Sequence, residues 1–400
     1  MDGLNVIYRK LLNMKILYAN QVFLDYRIPY YQKLIQLFKG NFYVMYSPNR
    51  YHLMKRDDLV ERIKSEMGDN AVAFNHDYLF DTATMSFNRV EGEYGQKIPF
   101  MYGFLRAIKK IKPDVLITEA FFQWTPWGIL YHLLFHIPLY IGYERTCYTE
   151  RNTGKLKTWH RKLSDKFIKG YLVNGVETEK YLLSIGIKAE KIHRIGISAD
   201  SNGLTTSISK MKDDEKEAFK KKYLSTEDGL IYLFSGQIVK RKGVGYLLAA
   251  WMEHLKAYPN DRLVLIGSGD LYDTYKQEYG KEQSIYLEGK VSYNEVYKYY
   301  AIADVFILPT IEDNWSLVIP EAMACGLPVA TSIYNGCHPE LVKEGENGIT
   351  FDTFKQETIV AALDYFHHHD LIRMGQKSRE IETEYNTEHC AKRMYDVFNS

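Results

Sequence analysis

The sequence predicts an α/β protein made of two doubly wound parallel-sheet domains. Three observations predict it. Short apolar runs alternate with helical stretches from end to end, the pattern of parallel strands covered by helices. The length of 400 residues suits two domains of ordinary size. The charge is divided: residues 1–200 carry 29 Lys/Arg and 20 Asp/Glu, residues 201–400 carry 22 and 30, so a net +1 hides a basic half and an acidic half.

In the first half the apolar runs at 15–19, 42–46, 114–118, 138–143 and 170–173 are predicted strands, and 29–38, 100–110 and 178–184 are predicted helices. Residues 1–13 carry no pattern before the first run and read as an extension, with Met14 a natural start. The polar, turn-rich stretch 198–210 reads as the connection between domains, and the charged 211–224 as a helix opening the second half. Strands follow at 230–235, 262–266, 284–288, 305–308, 328–331 and 348–351, and the chain ends in an amphipathic helix after residue 383. The boundaries are therefore 1–200, 201–383 and a final helix at 384–400.

Composition narrows the function. No run reaches the roughly 18 apolar residues of a membrane span; the nearest, 127–141, is interrupted by His132, His136 and Pro138. No signal peptide is visible. Cys147, Cys325, Cys337 and Cys390 show neither C-x-x-C pairing nor zinc spacing and read as reduced thiols of a cytoplasmic protein, Cys325 as core filling. The basic half has no nucleic-acid motif, so nucleic acid is excluded as a partner. His367, His368 and His369 read as a solvated helix end, and the 33 tyrosines are assigned no role.

The segment 309–328, PTIEDNWSLVIPEAMACGLP, carries the most chemistry. An apolar run ends at Pro309, a polar turn contains Asp313, and a short helix over 317–325 contains Glu321. Seven residues separate the two acids. The helix start offers backbone N–H groups at Ser316, Leu317 and Val318, which suit phosphate. Ionised carboxylates beside them suit sugar hydroxyls. Phosphate and polyol together describe a nucleotide sugar.

This segment resembles the acid-x7-Glu motif of the retaining GT-B glycosyltransferases of family GT4, written P-S-x-x-E-G-F-G-L-V-x-x-E-A-M-A-x-G-x-P-V. Asp313 stands where the first Glu is usual, Trp315 for Phe and Ser316 for Gly. Other segments resemble the family in order. FSGQIVKRKGVGYLLAAW (234–251) places Lys240, Arg241 and Lys242 before Gly243; cations there would neutralise a departing diphosphate. Lys242 matches the family's loop Lys, whereas Gln237 stands where its Arg is usual, with Arg241 a candidate to replace it. Gly236, Gly267 and Gly269 border the same cleft, and backbone at Lys290 and Val291 would meet the base. SIYNGCHPELVKEGENGITFD (332–352) resembles the family's end pattern.

In the first half, ILYANQVFLDYRIPYYQKLIQLF resembles the family's opening strand and helix, with Asp25, Tyr26 and Arg27 as acceptor-side candidates. After the run at 138–143, GYERTCYTERN puts Glu144 at or beside the position where many relatives have a His. Arg145, Glu150 and Arg151 complete a polar cluster at a strand end, where α/β sheets bind ligands. The stretch 154–170 sets Leu156, Trp159, Leu163 and Phe167 on one helical stripe amid Lys155, Lys157, Arg161, Lys162, Lys166 and Lys169. That pattern suits an anionic membrane face; a helix packed on its own sheet with a solvated basic face suits it equally.

The resemblance implies a GT-B fold with a cleft between two Rossmann-like domains, and a final helix crossing back onto the first. It implies retaining transfer of a sugar from a nucleotide-sugar donor to a glycan or lipid-linked glycan acceptor, in cell-surface polysaccharide biosynthesis. Asp313, Lys242 and Glu144 are the candidate catalytic residues. No Asp-x-Asp follows a strand, so no metal or other cofactor is expected. The protein is expected in the cytoplasm, peripheral on the inner face of the plasma membrane. Two alternatives stay open: a nucleotide-sugar epimerase of this fold, and a non-catalytic nucleotide-sugar-binding subunit.

Overall fold

The structure, a computed structural model, describes residues 14–81, 97–121, 123–199, 201–224 and 228–399. The reading of residues 1–13 lies outside them.

The first half forms β1 (Ile16–Ala19), α1 (Arg27–Leu37), β2 (Phe42–Tyr46), α2 (Pro48–Leu53), α3 (Asp57–Met67), β3 (Ala71–Ala73), β4 (Asp77–Asp81), β5 (Lys97–Met101), α4 (Phe104–Ile111), β6 (Val115–Glu119), α5 (Thr125–Phe135), β7 (Leu139–Tyr143), α6 (Lys155–Ser164), β8 (Gly170–Val173), α7 (Val176–Ser184) and β9 (Ile192–Arg194). Seven of these strands make one parallel sheet in the order β3-β2-β1-β6-β7-β8-β9, while β4 and β5 pair as a separate antiparallel hairpin. The second half forms α8 (Ser201–Lys210), α9 (Asp213–Lys220), β10 (Ile231–Ser235), α10 (Val244–His254), β11 (Arg262–Ile266), α11 (Tyr272–Tyr279), β12 (Ile285–Gly289), α12 (Tyr293–Ile302), β13 (Val305–Leu308), α13 (Val318–Ala324), β14 (Val329–Ser332), α14 (His338–Leu341), β15 (Gly348–Phe351), α15 (Gln356–Tyr365), α16 (Leu371–Thr383) and α17 (Thr387–Asn399). Its sheet is parallel in the order β12-β11-β10-β13-β14-β15.

Both sheets are doubly wound, with helices over both faces. Their central strands read as unbroken apolar runs because both faces are buried: every residue of β1, β8, β13 and β14 is buried. The fold is thus the predicted pair of Rossmann-like domains.

The structure departs from the sequence reading in four places. Residues 201–210 are a helix rather than a turn-rich connection. Leu204 is buried and Ile208 packs on the second core one turn later, so an i, i+4 apolar stripe outweighs the run of Ser, Thr and Asn. Residues 100–110 divide between the end of β5 and α4, with Gly103 at positive φ starting the helix. The edge strands β3 and β9, three residues each, are too short to stand out in the sequence. The β4–β5 hairpin was likewise not anticipated.

Helix α17 leaves the second domain and packs on α1. Cys390, Ala391, Met394 and Phe398 lie in the first domain's core, and the Phe398 ring meets Tyr140 of β7 at 5.0 Å. No described helix is long and apolar enough to cross a membrane.

Candidate functional site

A doubly wound sheet leaves a crevice beyond the carboxyl ends of its strands, where the strand order reverses. In the second sheet that point lies between β10 and β13, in the first between β1 and β6. The residues that follow these four strands build the candidate site.

After β10 the chain turns at Gly236, and after β11 at Gly267. A Cβ on Gly267, whose φ is +136°, would lie 1.8 Å from the Gly236 carbonyl oxygen, and one on Gly269 would lie 2.5 Å from that of Ile238. The two loops therefore nest backbone to backbone, which only glycine permits. Lys240–Lys242 then make one 3-10 turn ending at Gly243, where a Cβ would strike the Pro309 carbonyl at 2.0 Å. That contact presses the cation loop against the segment after β13. Lys242 Nζ donates to Asp313 Oδ2 at 2.6 Å, with side chains only 10% and 14% exposed, and Arg241 lies 3.6 Å from the same oxygen. Burial pushes the Asp313 carboxyl up, but the Lys242 ammonium outweighs it, and the group is held below the usual carboxylate range. The Trp315 N–H donates to Asp313 Oδ1 at 3.2 Å.

Helix α13 follows. The Ser316 N–H is taken by Asn335 Oδ1 at 3.4 Å, so it is not one of the free donors expected there. The N–H groups of Leu317 and Val318 have no backbone acceptor among the described residues. Glu321 accepts from the Tyr300 hydroxyl at 3.3 Å. Lys290 is exposed, and Val291 packs against the second core. Gln237 accepts from Arg241 at 3.5 Å, so the loop retains a guanidinium beside the position of the usual Arg.

In the first sheet, Asn20 follows β1 and Glu119 ends β6. The Tyr18 hydroxyl donates to Glu119 Oε1 at 2.5 Å and Asn20 Nδ2 donates to it at 3.1 Å. Arg27 pairs with Glu144, which follows β7. Asn20, Tyr26, Arg27, Glu119 and Glu144 line a cavity of about 210 Å³. Burial and the nearby Glu144 carboxylate push the Glu119 carboxyl up to about 7, against the pull of Arg27. Next to it lies a cavity of about 380 Å³ lined by Glu119, Tyr143, Arg145, Glu150, Lys157 and Arg161 among others. There Arg161 pairs with Glu150 at 2.8 Å, both side chains buried, and Arg145 approaches the other Glu150 oxygen at 3.3 Å. Burial raises Glu150, but its bond to Arg161 prevails and keeps it low.

The predicted cluster after β7 is thus divided among three tasks. Glu144 belongs with Arg27, Arg145 and Glu150 line the second cavity, and Arg151 reaches across to Glu312 at 2.7 Å. Thr149 joins it by donating to Asn314 at 2.7 Å, which ties the first domain to the Asp313 loop. Asp25 points elsewhere, 3.8 Å from both Arg56 and Arg62. Asn20 and Glu119 escaped the sequence reading. An acid closing the apolar run Val115–Glu119 was the available signal.

Two Rossmann-like sheets, one with a nested-glycine crevice and the other with a polar cavity at its switch point, make the arrangement of the GT-B fold. Residues 215–386 match the family described as "Glycosyl transferases group 1". The chain has the GT-B fold, and its match to that group covers residues 215–386. It is 28% identical over 310 residues to alpha-monoglucosyldiacylglycerol synthase of Acholeplasma laidlawii, covering 74% of this chain and 76% of the relative. It is 27% identical to the GDP-mannose-dependent monoacylated alpha-(1-6)-phosphatidylinositol monomannoside mannosyltransferase of Corynebacterium glutamicum, over 47% and 51% of the two chains. Among solved structures it resembles HepE of Anabaena in complex with UDP, with TM-score 0.71 and 14% identity over 96% of this chain and all of that one.

Proposed function

We propose that this chain transfers a sugar, with retention of anomeric configuration, from a nucleotide-sugar donor to a lipid-linked or glycan acceptor at an anionic membrane surface, in the synthesis of cell-surface glycans. The observation that carries the donor side is the buried Lys242–Asp313 pair facing the nested-glycine crevice. It presents a cation for a diphosphate and an ionised acceptor for sugar hydroxyls at one point. On donor entry, Lys242 and Arg241 turn to the diphosphate and Asp313 takes hydroxyls of the transferred sugar. Gly236, Gly267 and Gly269 let the donor approach backbone. The Leu317 and Val318 N–H groups serve phosphate, Glu321 the ribose, and Lys290 and Val291 the base.

In the step itself the bond from the anomeric carbon to the phosphate oxygen breaks and the acceptor oxygen bonds to the same face. The acceptor proton passes to the departing phosphate oxygen. Cationic side chains meet the leaving charge, so transfer proceeds without added magnesium or manganese. The cavities around Arg27, Glu119, Glu144, Arg145 and Glu150 hold the acceptor.

The membrane side rests on α6. Leu156, Trp159 and Leu163 are 77%, 61% and 40% exposed, so the apolar stripe faces outward rather than packing on the sheet. Lys155, Lys157, Lys162 and Lys166 flank it in solvent, whereas Arg161 points inward to Glu150 and leaves the basic face. An outward apolar stripe rimmed by lysines suits an anionic lipid interface. Two relatives named for glycolipid products favour a lipid acceptor.

The test is transfer from radiolabelled nucleotide sugars to lipid acceptors in anionic vesicles, with the product's anomeric configuration read by NMR. Retention, and co-sedimentation that falls with salt and with Lys155, Lys157 and Lys162 changed to Gln, are expected. An inverted product, an epimerised donor without acceptor, or binding without transfer would overturn the reading.

A further inference from the structure

At the edge of the second sheet away from the crevice, two imidazoles converge on one carboxylate oxygen. His254 ends α10, Asp261 precedes β11, and His367 lies in the 3-10 turn Phe366–His368 after α15. Asp261 Oδ2 is 2.9 Å from His254 Nε2 and 2.7 Å from His367 Nε2. Donor atoms of all three residues lie within 4.8 Å of one another. The His254 and Asp261 side chains are 0% and 1% exposed, and His367 is 14% exposed.

Each donor is held from behind. His254 Nδ1 lies 2.5 Å from Asp364 Oδ1, the Leu230 N–H donates to Asp261 Oδ1 at 2.9 Å, and the Tyr258 ring stacks on His367 at 3.7 Å with the planes 7° apart. Metal-binding imidazoles are characteristically backed by a carboxylate in this way, which fixes the tautomer and leaves the other nitrogen's lone pair free.

We propose that His254, Asp261 and His367 bind a divalent transition-metal ion, zinc by the chemistry of the donors. His254 Nε2, the ring nitrogen turned away from Asp364, lies 2.9 Å from Asp261 Oδ2 with both side chains buried, and a cation between them would draw on both. The same cation takes His367 Nε2, which reaches the same point from a third element. Two imidazoles and one carboxylate suit zinc, whereas magnesium and calcium favour all-oxygen shells. Zinc bonds of about 2.1 Å in tetrahedral array spread their donors to about 3.4 Å, so the residues open by roughly half an ångström, a small side-chain rotation. The exposed edge of His367 supplies an entry path and room for water as fourth ligand. The ion clasps residues up to 113 positions apart, at the amino end of β11. The strand ends of the transfer crevice are at the opposite edge, so the role is structural.

The test uses the untagged chain, stripped with chelator and dialysed free of it, then titrated with zinc chloride against a chromophoric competitor. One zinc per chain is expected, with a rise in melting temperature of about 5 °C at a hundredfold excess over Kd. Cobalt should give the intense visible absorption of a four-coordinate site. His367→Ala, at the exposed edge, should weaken zinc binding by more than tenfold, while His369→Ala, whose Nδ1 faces the Tyr365 carbonyl oxygen, should leave it unchanged. Substoichiometric zinc, or equal affinity in His367→Ala, overturns the proposal. A His367→Ala variant that melts lower without zinc, from a parent whose melting ignores zinc, assigns the cluster to hydrogen bonding alone.

Discussion

Replacing Lys242 with Ala removes the cation from a carboxylate that is 14% exposed and 2.6 Å away. Stripping one partner from a fully buried pair costs about 3–5 kcal/mol. Here Arg241 at 3.6 Å and the Trp315 N–H at 3.2 Å remain with Asp313. The loss of stability should therefore fall to the value of one charged hydrogen bond, about 1.5–3 kcal/mol. The same interaction redirected to a diphosphate sets the loss in donor affinity at roughly 10- to 100-fold. Urea unfolding and calorimetric titration with a nucleoside diphosphate and its sugar conjugate measure the two quantities separately. Asp313→Asn keeps the shape and removes the charge. It should weaken the nucleotide sugar and spare the free diphosphate, and the double variant should be more stable than the sum of the singles predicts, by about 1–2 kcal/mol. The pH dependence has a definite sign. Because the Asp313 carboxyl is depressed when folded, its contribution is present above the ordinary carboxylate range and is lost as pH falls through the folded value. That acid-side loss should shrink in Lys242→Ala. A folded Lys242→Ala variant with unchanged diphosphate affinity would refute the phosphate role.

Three further outcomes follow from the geometry. Glu119 titrates near 7 when folded, so protonated Glu119 favours the fold; stability should decline as pH rises from about 4.5 to 7, and Glu119→Gln should flatten that decline in pH-dependent melts. Gly267→Ala places a Cβ 1.8 Å from backbone at positive φ and should cost about 2 kcal/mol or more in urea unfolding; a loss below about 0.5 kcal/mol, the scale of an unremarkable surface change, would show that the loops can separate. Glu321→Ala should weaken a free nucleoside diphosphate and its sugar conjugate alike, and a loss confined to the conjugate would move Glu321 from the ribose to the transferred sugar.

The strands were legible because a parallel strand buried on both faces is a plain apolar run, so β2, β8, β11, β13 and β15 match residue for residue. Helix α8 was not, since its Ser and Thr residues favour turns by composition while its apolar face is only Leu204, buried, and Ile208, half-buried. The meeting of Lys242 and Asp313 was foreshadowed because both sit in contiguous segments whose glycines and acid spacing mark them. The first-domain site is assembled from the ends of β1, β6 and β7, one side chain from each. Glu119 shows in the sequence only as an acid closing an apolar run, and Asn20 carries no signal until the sheet sets the two side by side. The outward stripe of α6 illustrates a further limit, since periodicity gives the stripe but not the side it faces. The cluster of His254, Asp261 and His367 shows the same: His367 read as a solvated helix end, and only the fold brings it to a buried carboxylate.

The return of α17 also bears on how the protein is made. Cys390, Ala391, Met394 and Phe398 complete the core of the domain that is synthesised first. Nascent domains ordinarily fold in order as they emerge. Here the earlier domain waits with an open apolar groove beside α1 until the last helix clears the ribosome, while the sheet of the later one is already translated. The order of completion is inverted, and a ribosome stalled after α16 would leave the first domain, not the second, as the species in need of a chaperone.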